Sequence, residues 1–323
     1  MDLIDRVRAT GLLAAGKPVV VLLSGGRDSV CLLDVAMRLA GAGAVRALHV
    51  NYGLRAAADD DEAFCRALCD RLGVGLEVQA AQRPADAGNL QAWARDVRLS
   101  AGARLALALP RGARLATGHT ASDQVETVLY RLAASPGRRA LLGMSEHDGL
   151  LVRPLLRVTR EETAAHCTAR GLRWREDASN DDPAFARNRA RAGLVPALRE
   201  LHPSAERNVV RTAELLRDEA AVLEEVVDTA LAGRDYIAVA HLGALPPALA
   251  RLVVRRLAEG AAGRLCARAP GRLDEILALG DGALDLGDGA RAVVHGGVLR
   301  VEPTPPGRSA PAPAPAHQPQ QPA

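Results

Sequence analysis

Between residues 17 and 142, short apolar runs alternate with longer stretches of helical periodicity, and this alternation constrains the fold more than any other feature of the chain. Runs at 19–23, 45–50, 76–78 and 115–118 read as strands, and the segments 29–39, 57–72, 89–109 and 122–133 between them read as helices. Repeated strand-helix order implies right-handed crossovers, so the expected fold class is α/β, a doubly wound parallel sheet with helices on both faces. In such sheets ligands bind at the carboxyl ends of the strands, which directs attention to the loops that follow them. A further helix is expected over 160–170. Beyond residue 200 the pattern changes to a long amphipathic helix over 204–232, helices over 247–259 and from about 271, and a glycine-punctuated hairpin over 287–301. The expected division is a first domain over 1–200, a smaller, mostly helical domain over 201–303, and a tail over 304–323. That tail is proline, alanine and glutamine without core-forming content, and is expected to be disordered.

A length of 323 residues suits two domains, and 48% hydrophobic with 24% charged residues excludes a chain disordered over most of its length. Its apolar runs fall well short of the ~18 residues of a membrane span. The first sixteen residues carry Asp2, Asp5, Arg6 and Arg8 instead of a leader pattern. A soluble, cytoplasmic protein without a membrane partner is the expectation. The five cysteines (31, 65, 69, 167 and 266) form no Cys-x-x-Cys, which argues against a disulfide framework or a paired-thiol metal site and for reduced, mostly buried thiols. Lys17 is the only lysine, so nearly all positive charge is carried by guanidinium groups, which grip phosphates bidentately. From Arg83 to Arg139 nine arginines face four acids, a candidate anion-binding region.

The segment Leu23-Ser24-Gly25-Gly26-Arg27-Asp28-Ser29 links the first predicted strand to the first helix. A strand-loop-helix junction presents free N–H groups and the positive helix end together, which is an anion site; the glycines admit a phosphate and the two serines add hydroxyl donors. The segment lacks the lysine of a Walker A loop. Asp28, beside bound phosphates, could hold Mg²⁺. The plainer alternative is a glycine turn with Ser29 capping a helix.

This loop matches the SGGxDS signature of the N-type ATP pyrophosphatases. Five further blocks follow in one order: His49-Val50-Asn51-Tyr52-Gly53-Leu54-Arg55; Ala94-Arg95-Asp96-Val97-Arg98; Gly118-His119-Thr120-Ala121-Ser122-Asp123-Gln124-Val125-Glu126-Thr127; Arg153-Pro154-Leu155-Leu156; and an acid-rich block from Glu176 that continues into Arg187-Asn188 and Arg191. Together they resemble the tRNA(Ile)-lysidine synthase family over about residues 17–200. The chain departs from the family pattern at Leu99, where a tyrosine is common, in the loop 134–139, and at Tyr52, where a second histidine is common.

The resemblance implies an adenine nucleotide alpha hydrolase-like fold. It also implies a ligase that joins free L-lysine to C2 of the wobble cytidine (C34) of the CAU anticodon of tRNA(Ile), through an adenylated cytidine, with release of pyrophosphate and AMP. On that reading Ser24, Gly25, Gly26, Arg27, Asp28 and Ser29 hold ATP, and Asp28 holds Mg²⁺. Asp28, Arg95 and His119 are catalytic, and Asp123 and Glu126 bind lysine. Arg98, Arg138, Arg139, Arg187, Asn188 and Arg191 meet the tRNA, as do the arginines beyond 204 (251, 255, 256, 264, 268 and 272); a homodimer is left open. Plainer roles stand beside several of these: capping of a helix start for Asp123 and Glu126, packing at a strand end for His119 and His49, an exposed basic face for Arg95 and Arg98, and a domain-junction salt-bridge network for Arg187, Asn188 and Arg191. Two other readings compete, a tRNA cytidine thiolase or similar adenylating enzyme, and a catalytically silent RNA-binding module.

Overall fold

The computed structural model describes residues 2–54, 57–84, 88–110, 112–134, 137–176 and 186–305, without the side chains of 186 and 187. The expected tail beyond 305 and most of the acid-rich block, 177–185, lie outside the described residues. The chain separates into two compact units, Met1–Arg217 and Asp218–Ala323.

In the first unit α1 (Leu3–Ala9) precedes β1 (Val19–Leu22), α2 (Arg27–Ala40), β2 (Val45–Asn51), α3 (Ala58–Leu72), β3 (Gly75–Ala80), α4 (Leu90–Ala108), β4 (Arg114–Ala116) and α5 (Ala121–Ala134). A short α6 (Arg138–Leu141) leads to β5 (His147–Asp148) and β6 (Leu151–Val152). Then come α7 (Arg160–Ala169), α8 (Ala186–Arg189), a π-helical turn (Ala190–Leu194) and α9 (Val195–Leu201). The sheet order is β3-β2-β1-β4-β6-β5, parallel throughout except for β5, which pairs antiparallel with β6. The predicted strands and helices stand within a residue or two of their expected limits, and helices α1, α6, α8 and α9 and the two-residue strands β5 and β6 are additions. Two residues offer too little periodicity to be seen in a sequence.

Both sheet faces are buried, which explains the unbroken apolar runs. Val19, Val21 and Leu23 point to one core with α2, Cys65 and Cys69 of α3, and Cys167 of α7; Val20 and Leu22 point to the other, with Ala101 and Ala106 of α4. All five cysteines are buried and free. Successive strands run outward from β1 through β2 to β3 and then, on its other side, from β4 to β6, so the strand order reverses at the β1–β4 boundary. The carboxyl ends there form the switch-point crevice in which α/β sheets bind ligands.

The long helix α10 (Ala205–Leu231) begins in the first unit, where Val210 packs with Val125 of α5 and Val195 of α9. That packing explains why the unit boundary lies inside the helix, past the expected 200. In the second unit β7 (Tyr236–Ala238), α11 (Val239–Ala244), α12 (Pro247–Ala262), α13 (Leu273–Ala278), β8 (Gly282–Gly287), β9 (Ala290–His295) and β10 (Val298–Pro303) share a core centred on Leu242, Val253, Ile276 and Leu299. The predicted hairpin is β9–β10, the centre of a four-stranded antiparallel sheet in the order β7-β10-β9-β8.

Candidate active site

The loop 24–29 leaves β1 at the switch point. Gly25 has φ +84°, and a Cβ there would stand 3.3 Å from the Phe64 ring and 3.4 Å from Cys65 Sγ, so both backbone and space demand glycine. The serines brace the loop: Ser29 Oγ donates to Gly26 O at 2.7 Å and accepts Ser24 N at 3.2 Å, and Gly26 N donates to Ser24 Oγ at 3.3 Å. Arg175 N closes the far side on Gly25 O at 2.9 Å. Gly26, and not Ser29, is the N-cap residue of α2, and no side chain caps that helix start, which leaves its positive end for an anion. Gly118 at the end of β4 abuts the same turn, for a Cβ there would fall 2.9 Å from Asp28 O.

Asp28 and the Asp123–Glu126 pair, ninety-five residues and more apart in sequence, converge on one guanidinium. Arg160 Nη2 donates to Asp123 Oδ1 at 2.8 Å, Nη1 to Glu126 Oε1 at 3.1 Å, and Nε lies 3.6 Å from Asp28 Oδ2. Arg191 reaches the same pair, its Nε donating to Glu126 Oε1 at 2.7 Å and its Nη2 to Oε2 at 3.2 Å. Asp28 Oδ1 accepts Thr163 Oγ1 at 2.5 Å and Arg27 Nε at 3.3 Å. Asp123 has two tasks, because its Oδ2 also accepts Thr120 N and Oγ1 at 2.8 Å each at the start of α5. Burial alone would raise its pKa; Arg160, His119 and the Thr120 bonds overcome this and hold it below the usual carboxylate range.

His119 stands at the cationic edge of this cluster. Burial, reinforced by Arg153, Arg98 and Arg95 and opposed by Asp123, pushes its pKa down to about 4, so its imidazole is neutral near pH 7. Its Nδ1 is 2.8 Å from Thr117 Oγ1. Arg98 Nε is buried without a hydrogen-bond partner. The site therefore has an acidic side, Asp28, Asp123 and Glu126, and a basic side, Arg95, Arg98 and Arg153, with neutral His119 between. His49 Nδ1 donates to Leu23 O at 2.9 Å, and the ring is buried beneath the loop as a packed strand-end histidine. Tyr52 bonds Ala94 O at 2.8 Å and packs edge-on against Trp93. Arg138 and Arg139 lie in α6, half-buried; Asn188 is half-buried in α8, and the Arg187 side chain is outside the described ones.

Arg160, Thr163 and Arg175 have no counterpart among the predicted site residues. The Thr159-x-x-Glu162 capping box marks the start of α7, but only the approach of α7 to α5, with Ala121 N donating to Val158 O at 2.8 Å, brings Arg160 to the carboxylates.

Residues 5–198 match the PP-loop domain family, which is the class that this sheet and loop define. A tRNA(Ile)-lysidine synthase of Salinispora arenicola is 38% identical over 324 residues, 93% of this chain and 95% of that protein. One from Thermus thermophilus is 42% identical over 251 residues, 76% of this chain and 48% of that protein, and one from Pseudomonas putida 39% identical over 249 residues, 72% and 57%. The chain belongs to the PP-loop family, among the tRNA(Ile)-lysidine synthases. It spans about half the length of the Thermus and Pseudomonas relatives. Among solved structures, the U34-tRNA thiolase NcsA of Methanococcus maripaludis shares the fold, with a TM-score of 0.56 and 18% identity over 67% of this chain and 78% of that one.

Proposed function

We propose that this chain ligates free L-lysine to C2 of the wobble cytidine (C34) of tRNA(Ile) carrying a CAU anticodon, with ATP cleaved to AMP and pyrophosphate. The observation that carries the reading is the convergence at one strand boundary of an anion-binding loop, an acidic pocket and a basic flank around an uncharged histidine. Cytosine O2 is a poor leaving group as it stands. Its attack on the α-phosphorus of ATP expels pyrophosphate and makes it an AMP ester; the lysine ε-amine then attacks C2 and AMP leaves. The loop 24–29 cradles the pyrophosphate, and Arg95 and Arg98 stabilise negative charge that grows at phosphorus. One or two carboxylates beside substrate phosphates are the usual protein contribution to Mg²⁺, and Asp28 would offer Oδ2, which carries no hydrogen bond among the described residues and lies 3.6 Å from Arg160 Nε. When bound, the ion offsets phosphate charge. His119, neutral, can donate or accept a hydrogen bond but cannot act as a fixed cation.

Asp123 and Glu126 attract the ammonium of lysine, while Arg191 beside them opposes its positive charge and favours the neutral, nucleophilic amine. A thiolase would need accessible thiolates, whereas burial pushes Cys65 up to about 12 and Cys69 up to about 11. No described helix is long and apolar enough to cross a membrane, and we place the reaction in the cytoplasm with its tRNA. Incubation with ATP, labelled lysine and tRNA transcripts tests the proposal. Label is expected only in the isoleucine tRNA with the CAU anticodon; no incorporation, or equal incorporation into methionine tRNA with the same anticodon, refutes it.

A further inference from the structure

The acidic pair read above as the lysine site is filled by the chain itself. The guanidinium of Arg160, four-fifths buried, lies against Asp123, Glu126 and Asp28 at 2.8, 3.1 and 3.6 Å. We propose that Arg160 is an internal stand-in for the substrate amine: it occupies the amine subsite while lysine is absent, and withdraws into an adjoining cavity when the lysine ammonium takes the carboxylates. The inference rests on the lysine reading of the previous subsection.

Three observations support it. First, a guanidinium and an ammonium carry the same charge and present N–H donors to the same acceptors; Arg160 and Arg191 already share Glu126 Oε1, and a third cation on these carboxylates would add to their like-charge repulsion. Second, none of the carboxylates depends on Arg160 for a partner. Asp123 keeps Thr120 N and Oγ1 at 2.8 Å, Glu126 keeps Arg191 at 2.7 and 3.2 Å, and Asp28 keeps Thr163 at 2.5 Å. Third, the displaced group has a destination. Arg160 borders a cavity of about 160 Å³ that opens onto Glu126 and is also lined by the carboxylates Glu161 and Glu206 and the guanidiniums Arg191 and Arg199. Glu206 is 8% exposed, and its Oε2 accepts Arg199 Nη2 at 2.9 Å while its Oε1 is buried with no hydrogen-bond partner. A buried carboxylate oxygen without a donor is costly, and a guanidinium entering the cavity would supply one. Arg160 thus has two sets of acceptors, and lysine shifts it between them by binding only one arrangement. The device also sets a threshold: an amine that makes no further contacts cannot displace a tethered cation.

The test uses the full chain and calorimetric titration with free lysine. If the open arrangement holds about a tenth of the population, Arg160→Ala and Arg160→Gln each tighten lysine binding by about 10-fold, because the competitor is gone. Millimolar methylguanidinium then competes with lysine in Arg160→Ala and not in the unaltered protein. Glu206→Gln, which weakens the alternative acceptor, loosens lysine binding, and Arg160→Ala/Glu206→Gln matches Arg160→Ala alone. An Arg160 that merely buttresses the pocket predicts the opposite sign, weaker binding in both Arg160 variants, and additive losses in the double variant; either result overturns the proposal. Should no form of the protein, unaltered or substituted, bind lysine, the lysine reading itself falls. Lysine binding by the unaltered protein with loosened binding in both Arg160 variants removes only the stand-in role.

Discussion

Asp28 combines a position on the phosphate loop with a minor structural role. Its carboxylate joins α2 to Thr163 of α7, but Thr163 Oγ1 also lies 2.9 Å from Arg160 O and keeps a partner without it. On the lysidine reading, Asp28→Ala abolishes AMP formation and lysine transfer, while the unfolding free energy changes by about 1 kcal/mol or less. Wild-type AMP formation in a folded variant would remove Asp28 from the chemistry. His119 makes a pH-dependent contribution of definite sign. Its ordinary pKa is 6.5, and burial with the nearby arginines lowers it to about 4 in the folded chain. Between those values the unfolded chain binds a proton that the folded chain refuses, so stability is retained above pH 6.5 and declines as pH falls toward 4. His119→Gln should flatten the pH dependence of the urea midpoint across that window relative to the parent protein. Equal slopes would mean that His119 titrates normally.

At the scale of elements, the site depends on how closely β4 approaches the start of α2. In Gly118→Ala the new methyl would meet Asp28 O at 2.9 Å, Asp28 C at 3.0 Å and Ser29 N at 3.1 Å, all backbone atoms that cannot turn aside. Overpacking of this kind should cost about 1–3 kcal/mol and raise the KM for ATP by displacing the loop, which denaturation and steady-state kinetics can measure together. Glu126 ties α5 to α7 and to the π-helical turn through Arg160 and Arg191, with its side chain only 4% exposed. Glu126→Gln leaves two guanidiniums undercompensated, so a loss of about 3 kcal/mol is expected, with a larger rise in KM for lysine than for ATP. Were only the ATP constant to move, this carboxylate would serve phosphate or metal and not the amine. A helix beginning at Arg160 was legible in sequence, and the structure caps it with Thr159. The task of the next residue was not, because a cap specifies a helix end and says nothing about the neighbour it meets.

For the whole molecule, charge available to a tRNA is less than the arginine count implies. Of the arginines expected to clamp it, Arg255 and Arg256 pair with Glu224, Arg256 also with Asp228, Arg264 and Arg268 bond Asp288, and Arg272 pairs with Glu275, while Arg251 is exposed. Exposed pairs contribute little to stability and exchange readily for phosphate, so we retain a tRNA-holding role for the second unit as a proposal. Truncation after Arg217 keeps Val210 with Val125 and Val195. It should leave ATP binding while weakening tRNA binding and flattening its salt dependence by ~0.9 in logarithmic slope for each phosphate that is no longer neutralised. Equal affinity and equal slope in the two forms would assign recognition to the region from Arg83 to Arg139.

The sequence by itself determined the layered sheet and the phosphate loop, because both depend on local regularities. Apolar runs buried on two faces, amphipathic periods between them, and glycines with hydroxyls at a strand end are all legible over a few residues. It also marked Asp28, His119, Asp123 and Glu126 one block at a time. Only the tertiary structure decided that Asp28, Asp123 and Glu126 share Arg160, that Arg191 stands on the same carboxylates, and that His119 is neutral. Those properties arise from distances between segments far apart in the chain and from the burial that packing imposes, neither of which is encoded in any single stretch of residues.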